Sequence, residues 1–255
     1  MGEVLAGGLV RAGWRPEDLI MVVRREERRR ELEERTGVAV GLDPAAAVPG
    51  RAVLVIAVKP ADVPNLLTRI RDVVTPRQLV LSLVAGYPTT RFEESMPGVP
   101  VVRAMPNTPA QIDQAITALC GGAHADEVAI ATAEKILTAV GQTVRLDEDL
   151  MDAVTAVSGT GPAYLFLMAE ALTEAAVREG LPRHAAELLV RQALRGAGML
   201  LTARAEGPEY LRAQVTSPGG TTAAAVHVLE ERGFRALMED AVRAATRRSR
   251  EMGEA

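Results

Sequence analysis

Val53-Leu54-Val55-Ile56-Ala57-Val58 and, further along, Leu79-Val80-Leu81-Ser82-Leu83-Val84 are short runs with no polar face. A strand that borders water on one side alternates apolar and polar residues, whereas one that is apolar on both faces is covered on both. Runs of this kind imply a parallel sheet with helices packed on each side. Outward from them, residues 19–23 form another short apolar strand, and 99–105 and 143–146 two more. Helical spacing marks 3–12 (Val4, Leu5, Gly8, Leu9, stopping at Gly13), 26–35 (stopping at Gly37) and 127–140. The fold class expected for residues 1–147 is therefore a doubly wound, Rossmann-type α/β domain, whose ligands sit beyond the carboxyl ends of the strands.

From residue 148 the strand patterns stop. Helical patterns cover 148–157, 163–179, 183–205, 208–214, 222–231 and 234–251, separated by Gly161-Pro162, Gly180-Leu181-Pro182, Gly207-Pro208 and Gly233. Residues 148–255 are thus expected to form an all-helical second domain. Within it, Ala163-Tyr164-Leu165-Phe166-Leu167-Met168-Ala169 is apolar all the way round. A surface helix cannot carry such a stretch, so it is buried in its own core or against another subunit, and an obligate dimer is the expectation. The charged run 24–35 mixes signs, with Glu26/Arg30 and Glu31/Arg35 one helical turn apart, and reads as a solvated face.

Composition narrows the function classes. The 255 residues carry 29 basic and 33 acidic side chains, so no basic field draws in nucleic acid. One Trp, three Tyr and three Phe are too few for base-stacking platforms. Apolar runs fall well short of the ~20 residues that span a bilayer, and no basic, apolar leader opens the sequence. A cytoplasmic protein without a membrane or nucleic-acid partner is expected. A single cysteine, Cys120, forms no internal disulfide and reads as a small buried hydrophobe; three scattered histidines suggest no metal cluster.

Two glycine-containing segments, Ser158-Gly159-Thr160-Gly161-Pro162-Ala163-Tyr164 and Ser217-Pro218-Gly219-Gly220-Thr221-Thr222, each open a helical pattern. The first N–H groups of a helix lack internal partners, and glycines let a ligand come close to them. Beside an α/β half, this suggests a small anionic substrate held near a nucleotide; ordinary turns are the plainer alternative.

These segments, with Ala57-Val58-Lys59-Pro60, Arg103-Ala104-Met105-Pro106-Asn107-Thr108-Pro109, Asp152-Ala153-Val154-Thr155 and His227-Val228-Leu229-Glu230, resemble pyrroline-5-carboxylate reductases, in family order and over essentially the whole length. The resemblance implies an N-terminal domain that binds NAD(P)H, a helical domain that interlocks with its partner in a homodimer, and further assembly as a pentamer of dimers. It implies hydride transfer to the C=N carbon of a small cyclic imine, 1-pyrroline-5-carboxylate, giving L-proline. An imine can take its proton from solvent, so such a site needs neither metal nor nucleophile, only two oriented ligands.

By the same resemblance, Ser217, Gly219, Gly220, Thr221 and Thr222 bind the substrate carboxylate, and Thr222 is the catalytic hydrogen-bonding residue. A hydroxyl that merely opens a helix is the alternative for Thr222. Glu148 stands where the family touches cofactor and substrate, against the alternative of a helix-capping carboxylate. Cofactor contacts are expected at Met1, Gly2, Ala57, Val58, Lys59, Pro60, Leu83, Val84 and Ala85, and at Gln214, where relatives commonly have asparagine. Arg24 and Arg25 replace a ribose-binding acid after the second strand and suit a 2′-phosphate, so NADPH is expected over NADH. At Asp43-Pro44 the family's adenosine-facing asparagine is absent, and no contact is carried over.

The chain departs from the family at its start: Met1-Gly2-Glu3-Val4-Leu5 matches the end of the glycine turn and the first helix. The expectation is that Met1 is internal to a longer protein that supplies the first strand and two glycines, and that the 255-residue chain folds poorly and binds cofactor weakly. Two rival readings are a β-hydroxyacid dehydrogenase-like oxidoreductase and a non-catalytic dimeric scaffold. The first needs a catalytic lysine in the second domain, and from Met151 onward there is none.

Overall fold

The structure, a computed structural model, describes residues 1–254. It divides into two compact units, Met1–Thr160 together with the end of the chain from Ala244, and Gly161–Arg243. In the first unit the order is α1 (Gly2–Arg11), β1 (Ile20–Val22), α2 (Glu26–Thr36), β2 (Ala39–Gly41), α3 (Pro44–Ala47), β3 (Val53–Ile56), α4 (Val63–Ile70), β4 (Leu79–Ser82), α5 (Thr89–Ser95), β5 (Val101–Met105), β6 (Ala115–Gly121), α6 (Glu127–Leu137), β7 (Gly141–Arg145) and α7 (Met151–Val154). The unit continues through a π-helical turn, Thr155–Gly159.

The strands fall into two sheets: a parallel pair β1-β2, and five strands in the order β3-β4-β5-β6-β7. Within the larger sheet β6 runs antiparallel to β5, while the other neighbours are parallel. The sheet is therefore mixed, which corrects the all-parallel expectation. A parallel neighbour needs a crossover of about a dozen residues or more. Between β5 and β6 the chain has only a 3₁₀ turn, Thr108–Ile112, ended by Asp113 in the left-handed region, so it doubles back.

Alternating side chains of β4 feed the two faces. Leu79, Leu81 and Leu83 join Leu5, Leu9 and Leu137 in one cluster, and Val80 and Val84 join Val63, Leu67 and Phe92 in the other. All four residues of β4 are buried, as a central strand requires. Cys120 is buried against Met151, and burial, with Glu148 nearby, pushes its thiol up to about 12.

The second unit holds α8 (Gly161–Arg178), α9 (Arg183–Ala203), α10 (Pro208–Gln214), α11 (Thr221–Glu231) and the start of α12 (Phe234–Glu254). Among its described residues Ala186 alone is buried, whereas Leu165, Phe166 and Leu167 are 55–66% exposed. A bundle this poor in core does not bury its own apolar faces, so of the two fates open to the 163–169 stretch, a second subunit is the one left.

Candidate functional site

In the first unit, Met1, Gly2, Arg24, Arg25, Ala57 and Val58 line one groove of about 1250 Å³ between β1 and β3. Met1 precedes the first turn of α1, and no side chain caps the N–H groups of that turn. Gly2 passes close to the end of β3; a Cβ there would lie 3.1 Å from the Ala57 Cβ. Arg24 follows β1 and is 78% exposed at its side chain, with both Nη atoms on the Asp62 carboxylate at 3.0–3.1 Å. Arg25 is exposed at the head of α2. Lys59 and Pro60 begin the 3₁₀ turn after β3 and, like Leu83, Val84 and Ala85 after β4, lie outside the groove lining. Leu83 and Val84 are buried core residues, and their N–H groups donate to the Ile56 carbonyl and the Ser82 hydroxyl.

These features fit a dinucleotide on physical grounds. Uncapped amides at a helix start suit a phosphate, a glycine keeps the approach open, and a guanidinium after the neighbouring strand suits a ribose phosphate. Asp62, which orients Arg24, was not found from the sequence; nothing in the spacing of 24 and 62 signals the pair.

Glu148 is at the start of a 3₁₀ turn ahead of α7. Its carboxylate accepts from the Thr89 N–H at 2.9 Å, from the Thr89 hydroxyl at 2.6 Å and from Arg103 Nη1 at 3.1 Å. Pro88 is the N-cap of α5 and has no side-chain oxygen, so Glu148 caps that helix from far along the chain. The arrangement occupies both carboxylate oxygens. It differs from the sequence alternative in which helix Glu148 caps: α5, rather than the head of its own domain. Arg103 and Thr89 were not anticipated, because their partner is distant in sequence.

The Ser158–Thr160 stretch belongs to the π-helical turn, with the Thr160 N–H donating to the Thr155 carbonyl at 2.8 Å. A Cβ on Gly159 would come within 2.6 Å of Met105 Cε, the mobile end of a flexible side chain that can give way.

In the second unit, Ser217, Pro218, Gly219 and Gly220 make a tight turn into α11. The Gly220 N–H donates to the Ser217 carbonyl at 3.0 Å, and Gly219 has φ +70°, the pattern of a type II turn with proline second and glycine third. A Cβ on Gly220 would lie 2.5 Å from Ser217 Oγ. The Gly220 amide is therefore spoken for, a departure from the expected pair of gripping glycine amides. As N-cap, Gly220 brings no side-chain cap to α11, which leaves the first-turn N–H groups of Thr221, Thr222 and Ala223 without one. Ser217, Gly219 and Thr221 are exposed and Thr222 is half-buried. Gln214 is exposed at the end of α10, and its amide donates to the Tyr210 hydroxyl at 3.1 Å.

Residues 148–252 match the family model for the pyrroline-5-carboxylate reductase dimerisation domain, and residues 1–86 match that for coenzyme F420-dependent NADP oxidoreductases. The chain is 40% identical to a pyrroline-5-carboxylate reductase of Synechocystis over 251 residues, covering 98% of this chain and 94% of the relative. It is 37% identical to the enzyme of that name from Methanosarcina acetivorans, covering 100% and 95%. Among solved structures, the Coxiella burnetii pyrroline-5-carboxylate reductase superposes with a TM-score of 0.93 at 34% identity, covering 100% of this chain and 95% of that one. The Plasmodium falciparum pyrroline carboxylate reductase, solved with NADP bound, gives 0.88 at 27%, covering 99% and 94%.

Proposed function

The chain belongs to the pyrroline-5-carboxylate reductase family, and from that premise we propose how its residues serve the reaction. It is a nicotinamide-dependent oxidoreductase that reduces 1-pyrroline-5-carboxylate to L-proline, acting as a homo-oligomer through its helical domain. When bound, the dihydronicotinamide supplies the hydride that the imine carbon receives. The chain's own residues have the remaining tasks: to hold both ligands, to orient them and to satisfy the ring nitrogen.

The N–H groups at the start of α11, with the hydroxyls of Ser217 and Thr221, bind the substrate carboxylate. The observation that carries this reading is the helix start at Gly220, built by a turn whose positive φ at Gly219 favours glycine and left without a side-chain cap. Thr222, in the first turn of the same helix, places its hydroxyl to hydrogen-bond the ring nitrogen, which takes its proton from solvent before the hydride arrives. Arg24, fixed by Asp62, supports NADPH over NADH by pairing with the 2′-phosphate, with Arg25 adding positive charge. Met1, Gly2, Ala57 and Val58 line the phosphate path. Glu148 holds Arg103 and α5 in register. The domain division at 147/148, assembly of dimers into a ring of five, and a cytoplasmic location complete the proposal; no described helix is long and apolar enough to cross a membrane.

The test is a pair of substitutions assayed for proline formation. Thr222→Ala should lower kcat about 10- to 100-fold, the loss of one hydrogen bond to a charged group, with the dimer intact. Arg24→Ala should raise KM for NADPH and leave KM for NADH unchanged. Unaltered turnover in the first variant, or equal effects on both cofactors in the second, removes the residue from its role.

A further inference from the structure

The loop at residues 83–88, between β4 and α5, is fixed at both of its ends. On the β4 side the Leu83 N–H donates to the Ile56 carbonyl at 2.8 Å and the Val84 N–H to the Ser82 hydroxyl at 3.3 Å. On the α5 side the buried Tyr87 ring meets Phe92 edge-on, with centroids 4.9 Å apart, and Thr89 is tied to Glu148. Between these anchors lie Ala85, half-buried, and Gly86, buried and in the left-handed region at φ +70°.

The last turns of α12 pack on Gly86. Residues from Ala244 onward belong to the first unit. Ser249, Met252 and Gly253 share one face of that helix through their i, i+3, i+4 spacing. A Cβ built on Gly86 would lie 3.1 Å from the Ser249 carbonyl oxygen and 3.3 Å from both the Gly253 nitrogen and the Met252 Cβ. Conversely, a Cβ on Gly253 would run into the Gly86 carbonyl oxygen, a backbone atom that cannot swing aside. Two glycines thus let helix and loop meet backbone to backbone.

A polar tie holds the contact. Ser249 is 4% exposed, and its hydroxyl donates to Asp152 Oδ1 of α7 at 2.6 Å, a hydrogen bond strengthened by the carboxylate charge. The Arg250 Nε lies 3.9 Å from the other Asp152 oxygen. Residues 148–152 therefore hold the loop twice: at Thr89 directly through Glu148, and at Gly86 through Asp152 and Ser249.

We propose that Ser249 and Gly253 are positioning residues for the reduced cofactor, holding the backbone of Ala85 and Gly86 in place at the carboxyl end of β4. This rests on the cofactor reading above, in which a dinucleotide crosses the carboxyl ends of the strands. Of residues 83–87 only Ala85 is not buried, so it is where the loop is open to a ligand. Its neighbour Gly86 has the freest backbone of any residue type, and the stiff end of α12 supplies the constraint that a side chain there would otherwise give. Precision matters at such a point, since a shift of about 1 Å in an orienting group costs on the order of 10²-fold in rate.

The test uses the full chain with five substitutions: Ser249→Ala, Asp152→Ala and Gly253→Ala against the conservative Asp152→Asn, which keeps an acceptor for Ser249, and Arg248→Ala, an exposed control on the same helix. Hydrogen exchange at the amides of residues 85–87 should speed at least ~10-fold in the first three and stay parental in the last two. The Kd for NADPH, read from the cofactor's own fluorescence, should rise about 5- to 10-fold in the same three. The KM for the imine should stay within about twofold of the parental value throughout. Unchanged exchange in the loop overturns the proposal. Faster exchange with an unaltered Kd for NADPH also overturns it, because the contact is then structural only, and so does an equal rise in the constants of both ligands. A parent that binds no NADPH refutes the cofactor reading and takes the proposal with it, whereas tight parental binding that the substitutions leave unaltered refutes the proposal alone.

Discussion

Replacing Glu148 with alanine separates a role in architecture from a role at the substrate. Its carboxylate is the counter-ion of Arg103, whose side chain is 8% exposed, and is itself 29% exposed. Removing one partner of a buried ion pair costs about 3–5 kcal/mol, because the other charge is left in a poor solvent. Partial exposure of Glu148 lets water screen the vacancy, which favours the lower end, about 3 kcal/mol. The Thr89 N–H and hydroxyl lose their acceptor at the same time, adding about 1 kcal/mol for a lost helix cap. The expected loss for Glu148→Ala is therefore about 4 kcal/mol, or a fall of about 8–16 °C in the thermal midpoint. Glu148→Gln keeps an oxygen for Thr89 and gives up only the charge, so about half of that loss is expected. The assay is denaturant and thermal unfolding at fixed protein concentration, with KM and kcat measured at a temperature where all variants are folded. An alanine variant as stable as the parent refutes the reasoning, as does equal destabilisation by alanine and glutamine.

Three further outcomes are expected. Gly141→Ala places a Cβ 2.1 Å from the Ala115 carbonyl oxygen, at a position with φ +150° that pairs β7 with β6; the loss should exceed about 3 kcal/mol in a denaturant titration, and an unchanged midpoint would contradict the geometry. Leu167→Glu, at a residue 66% exposed in the single chain, should weaken dimerisation at least ~100-fold by sedimentation, and a dimer of parental strength would place α8 outside the interface. The Cys120 thiol, raised from its ordinary 9.0 to about 12, stays neutral in the folded state while the unfolded chain ionises. Its contribution is complete below pH 9 and is lost as pH rises toward 12, so the stability gap between the parent and Cys120→Ala should narrow or reverse across that window. A pH-independent gap would contradict the burial argument.

The helical half was legible almost to the residue. Helices expected at 163–179, 183–205 and 208–214 are found at Gly161–Arg178, Arg183–Ala203 and Pro208–Gln214, because Gly-Pro punctuation and 3.6-residue periodicity are local signals. The strands 53–58 and 79–84 were legible for the same reason. β6 was not: of the seven residues Ala115–Gly121 only Ile116 and Thr117 are β-branched, and its direction is set by the length of a connection rather than by the strand itself. The Arg24–Arg35 run was read as a solvated face, yet Arg28 and Arg35 reach Glu3 of α1, a pairing that exists only once the helices pack. The glycines of the 217–222 segment were legible as a helix start. That Gly220 spends its own amide on Ser217 was not, since a turn's internal hydrogen bond depends on backbone angles that the residue names allow but do not dictate.

The most direct test of the account is isotopic. The protein is given 1-pyrroline-5-carboxylate and NADPH deuterated at the transferable C4 position, and the proline formed is examined by mass spectrometry and NMR. One deuterium per proline, located at the carbon that carried the C=N bond and matched by one cofactor oxidised, is the predicted result. A folded, dimeric protein that consumes neither cofactor nor imine, or proline formed without the label, would contradict the assignment of this chain as an imine-reducing hydride transferase.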